Sequence, residues 1–462
     1  MSSAWKSASR RARRSGSALR REQHPTRRRL GAPNLVGCSA YMNETEPSPP
    51  LDDRWKRTFI FFLSSQTLSL FGSSLVQYAI FWHITLTARS GVVQTFAILA
   101  GFVPQLLLSP FAGVWADRHD RRRLIALADG SIALATLGLA FALQSGLRDL
   151  WLFLLVLALR SLGTAVQTPA VGALIPQFVP QDQLTRVNGI HQSIQSATML
   201  ASPAVAALLL TFMPLQTIFY IDVLTAALAI AVLLLLVDVP THQRAQARLE
   251  TGHLHDLKEG IAYVRGHDFL MRFFAYSAIF MVLVAPAAFL TPLQVARSFG
   301  PEIWKLGAIE IAFSLGMTAG GLFIASWGGF RNRVRTMALA TALFSITIAA
   351  MGIVPWFGAY IAFMGLCGVA VPLFNTPCMV LLQEQVEPDY LGRVMGVMGM
   401  IGSAAMPLGM LLFGPLADLV RIEWLLVGTG LVMGAQAVAM ALDRALTSHD
   451  ETTAPTSTDR PD

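Results

Sequence analysis

Four ionisable side chains fall inside stretches that are otherwise apolar: Asp129, Arg160, Asp222 and Glu310. A charge at such a position is expensive unless it is paired, hydrated or put to use. An acid there can bind and release a proton. An arginine there can hold an acid or set when the acid lets its proton go. Asp222 and Glu310 each lie ~8–9 Å from the nearer end of their stretch at 1.5 Å per residue. Either can titrate, and Asp222 serves equally well as a cap or a bridge between helices. Glu310 stands alone in LGAIEIAFSLG and is the stronger proton candidate. Arg160 is ~15 Å deep and needs a partner, whether for proton coupling or as a structural salt bridge. Asp129, near the mouth of its stretch, is expected to support the basic run that precedes it.

Two polar stripes accompany these charges. Gln66, Ser69, Ser73 and Gln77 are spaced 3, 4 and 4 residues apart, which places them on one helical face. Arg160, Thr164 and Gln167 form a second face, with Gly163 adjacent. Polar groups avoid lipid, so both stripes are expected to line a cavity that takes a small-molecule substrate. Hydrogen bonding to a neighbouring helix is the plainer alternative.

The elements that carry these residues follow from composition. Of 462 residues, 54% are hydrophobic and 14% are charged, against about 25% charged in a soluble protein. Crossing ~30 Å of hydrocarbon takes about 20 apolar residues. Twelve such stretches run from 59–86 to 422–443 and nearly exhaust the chain. They predict an all-α membrane protein of twelve transmembrane helices. A tail occupies 1–58, six helices fill 59–237, a loop covers 238–270 with a surface helix near 255–267, six more helices fill 271–443, and a tail ends at 462. Both tails are expected to be disordered.

Thirteen Lys and Arg in loops 113–123, 173–187, 238–271, 328–336 and 383–393, against five on the other side, place those loops and both termini in the cytoplasm of a cell-membrane protein. The formal charge of +7 belongs to the leader. Residues 1–41 hold ten bases and one acid, while 42–462 hold 25 bases and 27 acids. This argues against a nucleic-acid partner. Translation starting at Met42 accounts for the leader more simply than a targeting segment does. Cys38, Cys367 and Cys378 match no metal or disulfide spacing. The histidines His83, His191, His253 and His255 suggest no metal. No phosphate-binding GxxxxGK[ST] loop occurs, so the sequence calls for no cofactor and offers no convergent catalytic set.

The halves repeat. LIPQFVPQDQLTRVNG (174–189) matches LLQEQVEPDYLGRVMG (381–396) at seven of sixteen positions without gaps. Parallel repeats of this kind put a substrate site between the halves. The loop GVWADRHDRRR (113–123) resembles the signature of the major facilitator superfamily, through Gly113, Asp117, Arg118, Arg121 and Arg122. The resemblance implies a latch that closes the cytoplasmic gate. The plainer reading is a topology anchor. The counterpart SWGGFRNRVR (326–335) lacks the acid, which points to a one-sided latch.

Arg160 followed by Gly163 resembles the family's fourth-helix motif, linked with proton coupling. LRSLGTAVQTPAVGALIPQFVPQDQLTRVNG, QSIQSATMLASPAVAALL, and YLGRVMG with AMPLGMLLFGPLAD resemble the macrolide-efflux and siderophore exporters of the drug:proton antiporter group. What this implies is a monomeric, proton-coupled exporter of an amphipathic, macrolide-like molecule, with no enzymatic activity. Export of one endogenous metabolite is the rival within the class. A non-transporting membrane protein is the rival outside it.

Overall fold

The computed structural model describes residues 54–237 and 253–447, apart from the side chains of Arg54, Pro110, Val114, Asp117 and 253–257. The leader 1–53, the stretch 238–252 and the tail from 448, with the expectations that fall on them, lie outside this description.

Among the described residues fourteen α-helices of eight residues or more follow one another: α1 Arg54–Ala88, α2 Gly91–Arg118, α3 Arg121–Gln144, α4 Leu150–Phe178, α5 Leu184–Phe212, α6 Leu215–Leu236, α7 His253–Gly266, α8 Asp268–Phe289, α9 Thr291–Ser298, α10 Ile303–Trp327, α11 Arg333–Ile353, α12 Phe357–Gln385, α13 Pro388–Leu419 and α14 Ile422–Leu442. Twelve spans are long and apolar enough to cross a membrane, α8 and α9 counting as one. All-helical spans are what lipid demands, because each helix satisfies its own backbone polar groups. The fold is the expected one. Its boundaries differ in three places. α1 starts at Arg54, inside the expected tail; residues 444–447 add a helical turn after α14; and the seventh span breaks at Leu290, between Pro286 and Pro292.

Local chemistry sets the turns. The Asp120 carboxylate caps α3 by accepting from the backbone N–H groups of Arg122 and Arg123. Asn332 caps α11 by accepting from that of Arg335. α10 stops at Gly328, whose φ of 76° is left-handed and suits a residue without Cβ. The repeat seen in the sequence is reproduced in the backbone. Val179 ends α4 with φ −100° and ψ 131°, and Val386 ends α12 with φ −103° and ψ 132°. The two then diverge: a 3-10 turn at Gln181–Gln183 leads into α5, whereas α13 starts directly at Pro388.

Packing repeats as well. Within the first half α2 packs on α4, α3 on α6 and α1 on α5. In the second half α10 on α12, α11 on α14 and α8 on α13 answer them. The α10–α12 contact is close because a Cβ on Gly316 would meet the Gly365 carbonyl and one on Gly320 the Val369 backbone.

The halves meet where α2 crosses α13 and α5 crosses α10. These crossings are tight at the end opposite the basic loops. There a Cβ on Gly91 would run into the Gly414 carbonyl, and one on Gly307 into Ala207. Toward the basic end, Cβ atoms on Gly189, Gly392, Gly396, Gly399 and Gly402 would meet nothing within 4 Å. α7 docks on the second half at that end. Tyr263 stacks on Tyr390 at 4.4 Å, and Glu259 pairs with Arg393 at 3.2 Å.

Candidate transport site

Beneath the closed end lies a chamber of about 420 Å³ between the halves. α1 supplies Ser74, Gln77, Tyr78, Phe81, Trp82 and Thr85; α2 supplies Gln94 and Phe102; and α5 supplies Met199. From the second half come Ala288, Phe289, Pro292 and Glu310. The Thr85 hydroxyl donates to Gln94 Oε1 at 2.8 Å, and Phe102 meets Phe289 edge to face across the halves at 6.1 Å.

A second chamber of about 280 Å³ enters the C-terminal half. Its walls are Phe280, Phe313, Phe344 and Phe374 with Met281, Met317, Met364 and Met406. Phe280 and Phe374 stack at 4.0 Å. Flexible thioethers beside aromatic faces make a surface that adapts to varied apolar shapes. Ala288 and Glu310 line both chambers, and Glu310 is the one charged residue in either lining. Among the described residues it has no hydrogen-bond or ion-pair partner.

The other intramembrane charges lie inside the N-terminal half. Arg160, 7% exposed, donates from Nη1 to Asp222 Oδ2 at 2.8 Å and to the Thr136 hydroxyl, and from Nη2 to the Ser73 carbonyl at 2.9 Å. Four helices thus converge on one guanidinium. This ion pair removes Arg160 from Glu310, which faces the chambers. Asp129 does not join the basic run. It is 2% exposed and accepts at Oδ1 from Ser69 Oγ at 3.0 Å and from Gln167 Nε2 at 2.6 Å. Eight residues of α3 separate it from Arg121, a rise of ~12 Å.

The helix-1 stripe divides accordingly. Gln66 and Ser69 are buried within the N-terminal half, Ser73 gives its carbonyl to Arg160, and Gln77 lines the chamber. On α4, the Thr164 hydroxyl donates back to the Arg160 carbonyl. The face is the one that periodicity indicates, but a rotating neighbourhood along α1 changes what it meets.

In the loop 113–123, Gly113 faces open space and Asp117 lies in the last turn of α2, its side chain outside the described set. Arg118 closes α2. Arg121 donates to the carbonyls of Ala116 at 2.9 Å and Ala173 at 2.6 Å, and Arg122 donates to that of Leu234. The bases tie the loop to α4 and α6 of the same half.

Sequence reasoning missed the closure at the opposite end. Asp418, in the last turn of α13, accepts from Ser90 Oγ at 2.6 Å and from the N–H groups of Gly91 and Val92 at 2.7 and 2.9 Å. Arg297 of α9 binds it at 2.6 Å and also reaches the carbonyls of Arg89 and Ala417. A carboxylate from one half therefore caps the N-terminus of a helix in the other. The signals present were an acid and an arginine at helix ends, and nothing local pairs them across 121 residues.

Comparison with known proteins agrees with this architecture. The model of the Major Facilitator Superfamily matches residues 58–309 and 273–460. Macrolide efflux protein A of Streptococcus pyogenes is 33% identical over 385 residues, covering 82% of this chain and 95% of that protein. The staphyloferrin A transporter of Staphylococcus aureus is 26% identical, covering 83% and 94%. The crystal structure of the nucleoside transporter NupG superposes with a TM-score of 0.63 at 15% identity, covering 84% of this chain and 98% of that one. With twelve spans in two repeated halves and a chamber between them, this chain belongs to the major facilitator superfamily and is an efflux transporter of the cell membrane, not an enzyme.

Proposed function

We propose that the protein exports an amphipathic, macrolide-like molecule in exchange for protons, working as a monomer with its basic loops and both termini in the cytoplasm. The observation that carries this reading is Glu310. It is the single charge on the walls of two adjoining chambers, and no cation neutralises it. A carboxyl in that position holds either a proton or a substrate, so that loading one releases the other. The larger chamber, at about 420 Å³, is within the usual range for small-molecule sites, and the chamber of about 280 Å³ shares Ala288 and Glu310 with it. Their aromatic and thioether walls suit a lipophilic ring system.

Export of a dedicated metabolite such as a siderophore fits less well. Polycarboxylate ligands ask for cations, and neither chamber lining offers one. The open basic end then admits substrate from the cytoplasm, and the loop 113–123 latches that end in the opposite state.

Proteoliposomes with an imposed pH gradient test the reading. Glu310→Gln is expected to bind a macrolide but to lose gradient-driven accumulation by tenfold or more, with a flattened pH dependence. Wild-type accumulation by this variant would overturn the assignment.

A further inference from the structure

The N-terminal half contains a charge imbalance that the ion pair does not resolve. α3 packs on α4 and α6, and α1 reaches it through Ser69. Within the membrane interior α4 contributes one charged residue, Arg160, and α6 one, Asp222; α3 contributes Asp129. The remaining charges of α1, α2 and α3 are in their terminal turns at the basic end: Arg54, Lys56 and Arg57; Asp117 and Arg118; Arg121, Arg122 and Arg123. Arg160 is committed to Asp222 at 2.8 Å. Asp129 is left with two neutral donors on Oδ1, while its Oδ2 is buried without a partner. A carboxylate held this way retains a full uncompensated charge in the interior. Two hydrogen bonds to one oxygen do not remove it, and a buried group of this kind is neutralised instead.

We infer that Asp129 is a second proton-binding site, protonated in the conformation open at the basic end. Its proton resides on Oδ2, while Oδ1 keeps its bonds to Ser69 and Gln167. The site stacks with the ion pair along the same helices. Ser69 and Ser73 are one turn apart on α1, and Gln167 and Arg160 are two turns apart on α4, a separation of ~10 Å. Each half then holds its own titrating acid: Glu310 on the chamber wall, and Asp129 between the helices that frame the buried arginine. The second site does not depend on Glu310 or on the identity of the substrate.

Infrared spectroscopy of the full chain, purified in detergent at neutral pH without substrate, reads the site directly. A protonated carboxyl gives a C=O stretch separate from that of carboxylates, and the stretch shifts in D2O. Asp129→Asn is expected to remove the contribution of one carboxyl per molecule, in the wild-type background and in Glu310→Gln alike. Exchanging sodium for choline should change nothing.

Asn keeps the acceptor for Ser69 and Gln167, so the thermal midpoint should stay near wild type. Should Asp129→Asn fail to fold, Ser69→Ala removes one donor from Oδ1 and should shift the same component in frequency. An unchanged carboxyl band in Asp129→Asn, or in Ser69→Ala where that variant is the one measured, would overturn the inference. So would a band that appears only when sodium is withdrawn, which would make the neutralising ion a metal cation.

Discussion

Both halves carry an acid at similar depth, Asp222 seven residues into α6 and Glu310 seven into α10, yet their surroundings oppose each other. Asp222 is locked to Arg160 among Thr136 and Ser73 and lines neither of the two chambers. Glu310 faces two chambers whose linings hold no cation. The capped loops differ less. Asp120 and Asn332 cap α3 and α11, and the arginine after each cap turns to the neighbouring span, Arg121 to the Ala173 carbonyl and Arg333 to Glu384 at 3.8 Å. Duplication preserves the frame, and divergence falls on the buried charges. A paired ion is part of the scaffold. An unpaired one on a cavity wall is free to change state.

The largest effect should come from the scaffold. Arg160→Ala strands Asp222 in the interior, and losing one partner of a buried pair costs about 3–5 kcal/mol. Thermal unfolding in detergent should show a strongly lowered midpoint, while Glu310→Ala stays near wild type. Replacing both partners, Arg160→Met with Asp222→Leu, should recover most of the loss. If the double variant also transports normally, the pair is scaffold alone. If it folds but does not transport, the contrast between the halves weakens.

Asp117→Asn comes next. Removing the charge of Asp117, one of two acids that the first-half loop has and its counterpart lacks, should leave abundance normal and reduce efflux about tenfold, a loss of ~1.4 kcal/mol in the balance of states. Equal efflux at equal expression would reduce the loop to an anchor. Asp418→Asn is the smallest, at about 1 kcal/mol: the Asn carbonyl keeps the Gly91 N–H, the exposed Ser90 and Val92 donors lose their acceptor to water, and the charge that holds Arg297 is lost at a partly exposed site. Labelling of a cysteine placed at Gln94 from the far side should rise a fewfold. No rise would assign the closure to the glycine crossings.

The twelve spans, the break between halves and the short helix before Asp268 were legible because lipid permits few alternatives to a long apolar helix. The break at Leu290 was legible in principle, since Pro286 and Pro292 bracket it, but an uninterrupted apolar run conceals it. Periodicity identified the face of Gln66, Ser69, Ser73 and Gln77. It could not say whether that face meets a cavity or a helix, and along α1 the answer changes within three turns. Asp129 was assigned to the basic run because depth counted along one helix says nothing about which neighbour lies across from it. Which acid partners Arg160 was likewise a question of which half folds around the arginine. The closure by Asp418 joins residues more than three hundred positions apart, beyond any local signal.

The crossing at Gly91 and Gly414 gives α2 a mechanical character. The helix has 28 residues, a rod of ~42 Å. One tip is gripped by Asp418 of the opposing half, and the other carries the loop 113–123. A beam seated on a glycine fulcrum near one tip, even one that bends at Pro104 and Pro110, converts a displacement of an ångström or two there into several at the other. The two grips then need no relay of side chains between them to exclude each other, since the beam itself does so. A wedge at either tip should stall the whole rocking motion: a bulky residue in place of Gly414 would hold the far side ajar, and a covalent staple from Gly91 to α13 would hold it shut.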